Sequence, residues 1–199
     1  MTQQATPSAA RAIVKVVVAG GFGVGKTTAI GAISDIRPLR TEELLTEHST
    51  ATDSLDGIEG KRVTTVAFDF GRVGWDVPEP IELYLFGTPG QPRFWSFWHD
   101  LAHGAFGAIV LADTRRIDVS FHAADFFEQY GLPFCIAVNQ FPDAAPRTLA
   151  EIREAFDVDE CVPVMFCDAR DADSIACVLL TLLQHALQTK SANPTVLEA

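Results

Sequence analysis

Short continuous apolar runs alternate along the chain with segments whose apolar residues recur at helical spacing. Ile13–Ala19, Phe106–Ala112, Pro133–Val138 and Val162–Phe166 are runs of the first kind, the pattern of strands buried on both faces. Lys26–Ile36, Gln91–His103, Asp118–Tyr130, Thr148–Phe156 and Asp173–Thr189 are of the second. In the last of these, Ile175, Val178, Leu179, Leu182, Leu183 and Leu187 mark an apolar side. "RVTTVAFDF" differs, with Val66, Phe68 and Phe70 alternating on one face; with "IELYLF" it predicts an antiparallel hairpin whose turn signals lie in Gly71–Pro80. Residues 37–60 are polar and irregular, with a short helical turn expected at Glu42–Thr46. A loop that long in a compact domain is usually functional or mobile.

Strand–helix alternation with buried strands predicts an α/β fold, a parallel-rich sheet with helices on both faces. Ligands in such folds sit beyond the carboxyl ends of the strands. One domain over 11–190 is expected, with loose tails at 1–10 and 191–199.

Composition narrows the class. Apolar residues make up 48% of 199 residues, enough for a proper core. The net charge of −11 argues against nonspecific nucleic-acid binding and against direct docking on anionic lipid. No apolar run approaches the ~18 residues of a membrane span, and the polar start "MTQQATPSAA" carries no leader or lipidation signal. Cytoplasmic location without a direct membrane anchor is expected, with any membrane recruitment through partners. Cys135, Cys161, Cys167 and Cys177 form no Cys-x-x-Cys pair and read as reduced, buried thiols.

The chemistry begins at Gly20–Thr27, G-x-x-x-x-G-K-T, between a predicted strand and a predicted helix. Glycines at Gly20, Gly21, Gly23 and Gly25 let backbone N–H groups turn toward phosphate oxygens, with Phe22 and Val24 between them and Thr28 in the first helical turn. Lys26 is placed to reach the β- and γ-phosphates, and Thr27 to offer a hydroxyl to Mg²⁺. A turn that merely links strand to helix is the bland alternative. Phe22 is unusual: its ring either points outward or crowds the place of an attacking water.

"LYLFGTPGQPRFW", "KRVTTVAFDFG" and "VLADTRR", taken in order with the phosphate loop, resemble bacterial Ras-like small GTPases of the actinobacterial conservon type, related to the gliding-motility GTPase MglA. The likeness spans residues 13–188. It implies a P-loop NTPase fold, a Ras-like three-layer α/β/α sandwich with a six-stranded, mostly parallel sheet. It implies GTP/GDP as ligand, Mg²⁺ as cofactor and slow γ-phosphate hydrolysis. On single residues, it makes Thr65 (or Thr64) the threonine that closes on Mg²⁺ and the γ-phosphate. It makes Gly90 the γ-phosphate sensor, and Gln91 the residue that orients the attacking water. A Roadblock/LC7-type regulator and a sensor-kinase-like protein are the partners it implies.

The sequence departs from that pattern in two places. Gly87 stands where such proteins carry an aspartate that holds Mg²⁺ through water; Asp113 could approach from the next strand, or simply cap a turn. The base-reading run Asn-Lys-x-Asp becomes Asn139-Gln140-Phe141-Pro142-Asp143, so Asn139 fits, Gln140 replaces the lysine and Asp143 comes one position late. Asp168-Ala169-Arg170 takes the place of Ser-Ala-Lys, with the Ala169 N–H expected to meet a guanine carbonyl.

Arg62, Arg93, Arg115 and Arg116 are candidates for an arginine that stabilises transferring charge, each more ordinarily a surface residue. Phe94, Phe97, Trp98 and Leu101 are expected to face the core and Trp95 to point away, forming an aromatic patch suited to a protein partner. His99 and His103 share a helix face without a further ligand and are not read as metal-binding. Two rival functions stay open: a nucleotide-binding module with negligible hydrolysis, and an ATP-binding P-loop protein or small kinase.

Overall fold

The computed structural model describes residues 11–46, 63–76, 80–90 and 94–192. Seven strands form one sheet: β1 (Ala12–Ala19), β2 (Leu39–Thr46), β3 (Val63–Trp75), β4 (Ile81–Gly87), β5 (Gly107–Ala112), β6 (Phe134–Asn139) and β7 (Val164–Cys167). Their spatial order is β2-β3-β4-β1-β5-β6-β7. From β4 to β7 all neighbours pair in parallel, while β3 runs antiparallel to both β4 and β2. The helices are α1 (Lys26–Ile33), α2 (Phe97–Ala102), α3 (Phe121–Tyr130), α4 (Leu149–Phe156) and α5 (Ala172–Ala192), with a 3₁₀ segment at Thr114–Ser120.

Strand alternation sorts the core into two layers. Val16 and Val18 of β1, Ile109 and Leu111 of β5, and Cys135 and Ala137 of β6 pack against α1 and α5. Val17, Ala19, Ala108, Val110, Phe134, Ile136 and Val138 point the other way, toward α2, α3 and α4. Successive side chains leave opposite faces of a strand, so a strand between two helical layers must be apolar at every position. The burial of every residue in β5 and β6 is that rule in practice. The result is a three-layer α/β/α sandwich around a mostly parallel sheet.

The seventh strand is Leu39–Thr46, read from the sequence as loop with a helical turn at Glu42–Thr46. It pairs with β3 from Leu39↔Phe70 to Thr46↔Val63. Its polar composition suits an edge strand, where only one side is paired. β3 also runs on to Trp75, through the expected turn, because β4 pairs with it as far as Trp75↔Ile81. The helix expected over Gln91–His103 is shorter, Phe97–Ala102. On α5 the core positions are Ile175, Val178, Leu179, Leu182 and Ala186. Ala186 takes the inward place a turn beyond Leu182, so Leu187, one step round the helix, is exposed. Of the thiols, Cys135 and Cys167 are buried and pushed up to about 12 by that burial, whereas Cys161 and Cys177 are exposed; all four are free. Among the described residues no helix is long and apolar enough to cross a membrane. The tail residues 1–10 and 193–199 lie outside the described residues, and α5 continues to Ala192, past the expected boundary at 190.

Candidate functional site

The phosphate loop leaves the carboxyl end of β1 and turns directly into α1. Gly20, Gly23 and Gly25 have positive φ, at 133°, 80° and 107°, which side chains rarely tolerate. At Gly25 a Cβ would also lie 2.7 Å from the Asn139 amide nitrogen. Val24 is fully buried and pins the loop to the core. The loop is braced from the 3₁₀ segment: the Gly21 N–H approaches Ser120 Oγ at 3.4 Å, and that hydroxyl donates to Leu111 O at 2.9 Å.

Lys26 is only 9% exposed. Its Nζ donates to the carbonyls of Gly20 (2.9 Å) and Gly21 (2.7 Å). Burial brings the ammonium down to about 8, opposed by the nearby Asp69 carboxylate. The Phe22 ring is 69% exposed, so it takes the outward orientation. The Phe22 carbonyl accepts from Arg116 Nη2 at 2.9 Å.

A carboxylate absent at Gly87 stands instead on the neighbouring strand. Asp69 is the register partner of Gly87 in the β3–β4 hairpin. A Cβ on Gly87 would stand 3.1 Å from the Asp69 Cβ, so the two side chains would compete for one space. The Asp69 carboxylate accepts a hydrogen bond from Thr27 Oγ1. Hydroxyl and carboxylate are the oxygen donors that Mg²⁺ prefers, and here they touch. Asp69 was missed in the sequence. The signal was there: it is the lone acid in an apolar strand, and the hairpin register sets it across from the glycine.

Asp113 takes the capping alternative. It is fully buried, accepts from the Arg115 backbone N–H at 2.9 Å, and holds the Arg115 guanidinium at 2.7–3.1 Å. Those bonds from Arg115 hold its carboxyl below the usual carboxylate range although burial pushes upward. Among the described residues no group of three or more His, Cys, Asp and Glu is arranged to hold a metal ion.

The segment after β4 closes on the phosphate loop. Thr88 N–H donates to Val18 O at 2.9 Å. A Cβ on Gly90 would lie 2.9 Å from both Lys26 Nζ and the Phe22 nitrogen, so only glycine allows this approach. Gln91, Arg93 and Arg62 lie outside the described residues. Thr65 is on β3, paired with Leu44, and Thr64 with Leu45. Thr65 precedes Asp69 by four strand residues, about 13 Å along β3. The β2–β3 pairing therefore does not bring Thr65 together with Thr27 in this conformation.

At the base end, Asn139 joins three loops. Its Nδ2 donates to Val24 O at 3.0 Å, and its Oδ1 accepts from the Ala169 N–H at 3.0 Å. That N–H, expected to meet a guanine carbonyl, is thus engaged within the protein. A cavity of about 180 Å³ lies beside these groups, walled by Gly25, Thr28, Gln140, Phe141, Ala169 and Arg170 among others. Asp143 does not line it. Both Asp143 oxygens accept from Arg115 Nη1, at 2.7 and 2.9 Å. Asp168 accepts from the backbone N–H and guanidinium of Arg170, and these bonds bring it to about 2.

The aromatic surplus is absorbed internally. Phe94 and Trp98 are buried, Phe97 meets Phe68 edge-on, and Trp95 stacks on His122 of α3 instead of standing free. A second cavity of about 340 Å³ lies between the phosphate loop, Trp95, Arg116 and His122.

Comparison with known proteins bears on the fold and the family. The cytosolic domain of the T. maritima FeoB iron transporter, in its apo form, superimposes with a TM-score of 0.61 at 16% identity over 87% of this chain. The match takes in 64% of that domain, and at this identity it speaks to fold alone. No curated protein sequence matches the chain. A family model described as conserved hypothetical ATP binding protein matches residues 18–189, from the end of β1 through α5. The chain therefore belongs to that family and is a nucleotide-binding P-loop protein.

Proposed function

We propose that the chain is a molecular switch that binds GTP or GDP with Mg²⁺ and hydrolyses the γ-phosphate slowly. The observation that carries this reading is the approach of Gly90 to Lys26 and Phe22 N. The segment after β4 rests on the loop that would hold the terminal phosphate, so a triphosphate and that segment compete for one place. Ordering or displacing a segment according to the γ-phosphate is how such switches work.

Thr27 and Asp69 would hold Mg²⁺, which would neutralise charge on the β- and γ-oxygens. Lys26 would exchange the carbonyls of Gly20 and Gly21 for phosphate oxygens. Water attacks the γ-phosphorus in line, a new P–O bond forms, and the bond to the β–γ bridging oxygen breaks, with Gln91 orienting the water as the family resemblance implies. A Roadblock/LC7-type regulator and a sensor-kinase-like partner belong to the same proposal, supported by that resemblance.

The test is single-turnover hydrolysis of the GTP-loaded chain, read alongside tryptophan fluorescence of the di- and triphosphate forms. A slow single-exponential release of phosphate is expected, with distinct spectra from Trp95 and Trp98, which line one cavity with Gly90. Identical spectra would sink the switch. A second reading, an ATP-binding protein, is favoured by Asp143 being held on Arg115 and by the family's description.

A further inference from the structure

We infer that this site does not read the edge of the base through Asp143, and that it takes adenine and guanine nucleotides with comparable affinity because Arg115 holds that carboxylate out of the base cavity. The inference rests on the proposed nucleotide site and names its base chemistry.

Arg115 is anchored on three sides. Its Nε and Nη2 bind Asp113, which is fully buried at the end of β5. Its Nη1 takes both oxygens of Asp143. Its guanidinium lies 3.8 Å from the centre of the Phe141 ring, a stacking that suits a planar cation. Phe141 forms part of the base-cavity wall, while Asp143, two residues on, is turned to Arg115 and 69% exposed.

The other acid of the base loops is also engaged, since Asp168 is bonded to Arg170. The Ala169 N–H is spent on Asn139. Neither the acceptor that would take two guanine donors nor the donor that would meet its carbonyl faces the cavity. The polar wall side chains left are Thr28 and Gln140, whose hydroxyl and amide both donate and accept and so suit either purine edge. Strong rejection of a related ligand requires a buried polar group left unpaired by the wrong one, and this cavity shows no such acceptor among the described residues.

The experiment is calorimetric titration of the full chain with ADP and with GDP, each with Mg²⁺, for wild type, Asp143→Asn, Arg115→Gln and Lys26→Ala. Wild-type affinities within about fivefold of each other are expected, and Asp143→Asn should leave both within about twofold. Arg115→Gln, which releases the carboxylate, should move the ratio toward GDP by about tenfold. A wild-type GDP preference of about a hundredfold or more, or a selective GDP loss of about tenfold or more in Asp143→Asn, would overturn the inference. An unchanged ratio in a folded Arg115→Gln chain would overturn the part assigned to Arg115. If the latter chain fails to fold, the former variant still decides. Should Lys26→Ala bind as wild type does, the nucleotide site itself fails, an outcome separable from any change in base ratio.

Discussion

The two ends of the site are built on opposite principles. At the phosphate end the groups that would contact ligand are backbone, one lysine and one hydroxyl, held by the fold itself; Val24 anchors the loop and positive-φ glycines shape it. At the base end the charged groups and Asn139 are already satisfied within the protein, through Arg115 with Asp113 and Asp143, Arg170 with Asp168, and Asn139 with Ala169. Charge is concentrated where every nucleotide is alike and neutralised where nucleotides differ. Such a site is expected to be strict about phosphate number and lax about base.

Removing Lys26 is the largest break available at the strict end. Lys26→Ala should weaken diphosphate and triphosphate binding about a hundredfold, about 3 kcal/mol, in equilibrium titration. A loss equal for both bases keeps the contrast between the ends; a loss confined to one base would erase it.

Asn139 ties the ends together, so its removal asks whether they are mechanically separate. Asn139→Ala deletes the bonds to Val24 O and from Ala169 N–H, both buried. Left unpaired, such groups cost about 1–3 kcal/mol. Thermal unfolding should fall by several degrees, and affinity for ADP and GDP should fall together. A drop in affinity for one purine alone would make Asn139 a base reader rather than a strut.

Asp69 probes the metal side of the phosphate end. Asp69→Asn should reduce the Mg²⁺-dependent gain in nucleotide affinity about tenfold, while affinity in excess chelator stays as in wild type. Titrating Mg²⁺ against nucleotide-loaded chain gives the readout directly. Asp113→Asn should leave the Mg²⁺ midpoint unchanged and lower the melting temperature instead, because Asp113 caps the 3₁₀ segment.

The same contrast explains what the sequence could disclose. The phosphate loop was legible because its function rests on local backbone geometry, and Gly20–Thr27 encodes that geometry in consecutive residues. The parallel strands were legible because double-sided burial forces continuous apolar runs. Leu39–Thr46 was not, because an edge strand needs only a backbone partner and its composition carries little period. Asp69 was hidden for a related reason: its role comes from the cross-strand neighbour of Gly87, a relation set by register and not by spacing in one segment. The capture of Asp143 by Arg115 joins residues 28 apart on different loops, which no local pattern records. Trp95 misled because its partner, His122, lies on α3, far along the chain.

The smallest expected effect is in pH. Lys26 is brought to about 8 by burial, below its ordinary value of 10.5. Between those values the unfolded chain binds more protons than the folded one. The nucleotide-free chain should therefore gain stability as pH rises from about 8 toward 10.5, the reverse of a lysine held by an ion pair. Binding should move the opposite way, because phosphate oxygens require the ammonium form. Affinity for either diphosphate should fall about fivefold between pH 8 and 9, following the protonated fraction of a group that titrates near 8. Lys26→Met should bind weakly with no such fall, and its stability should lose the rise. Because Lys26 serves the phosphate end alone, the pH slope should be the same for ADP and GDP. A slope that differed between them would mean that the ionisation of Lys26 is felt at the base cavity, and the two ends would then have to be treated as one coupled site.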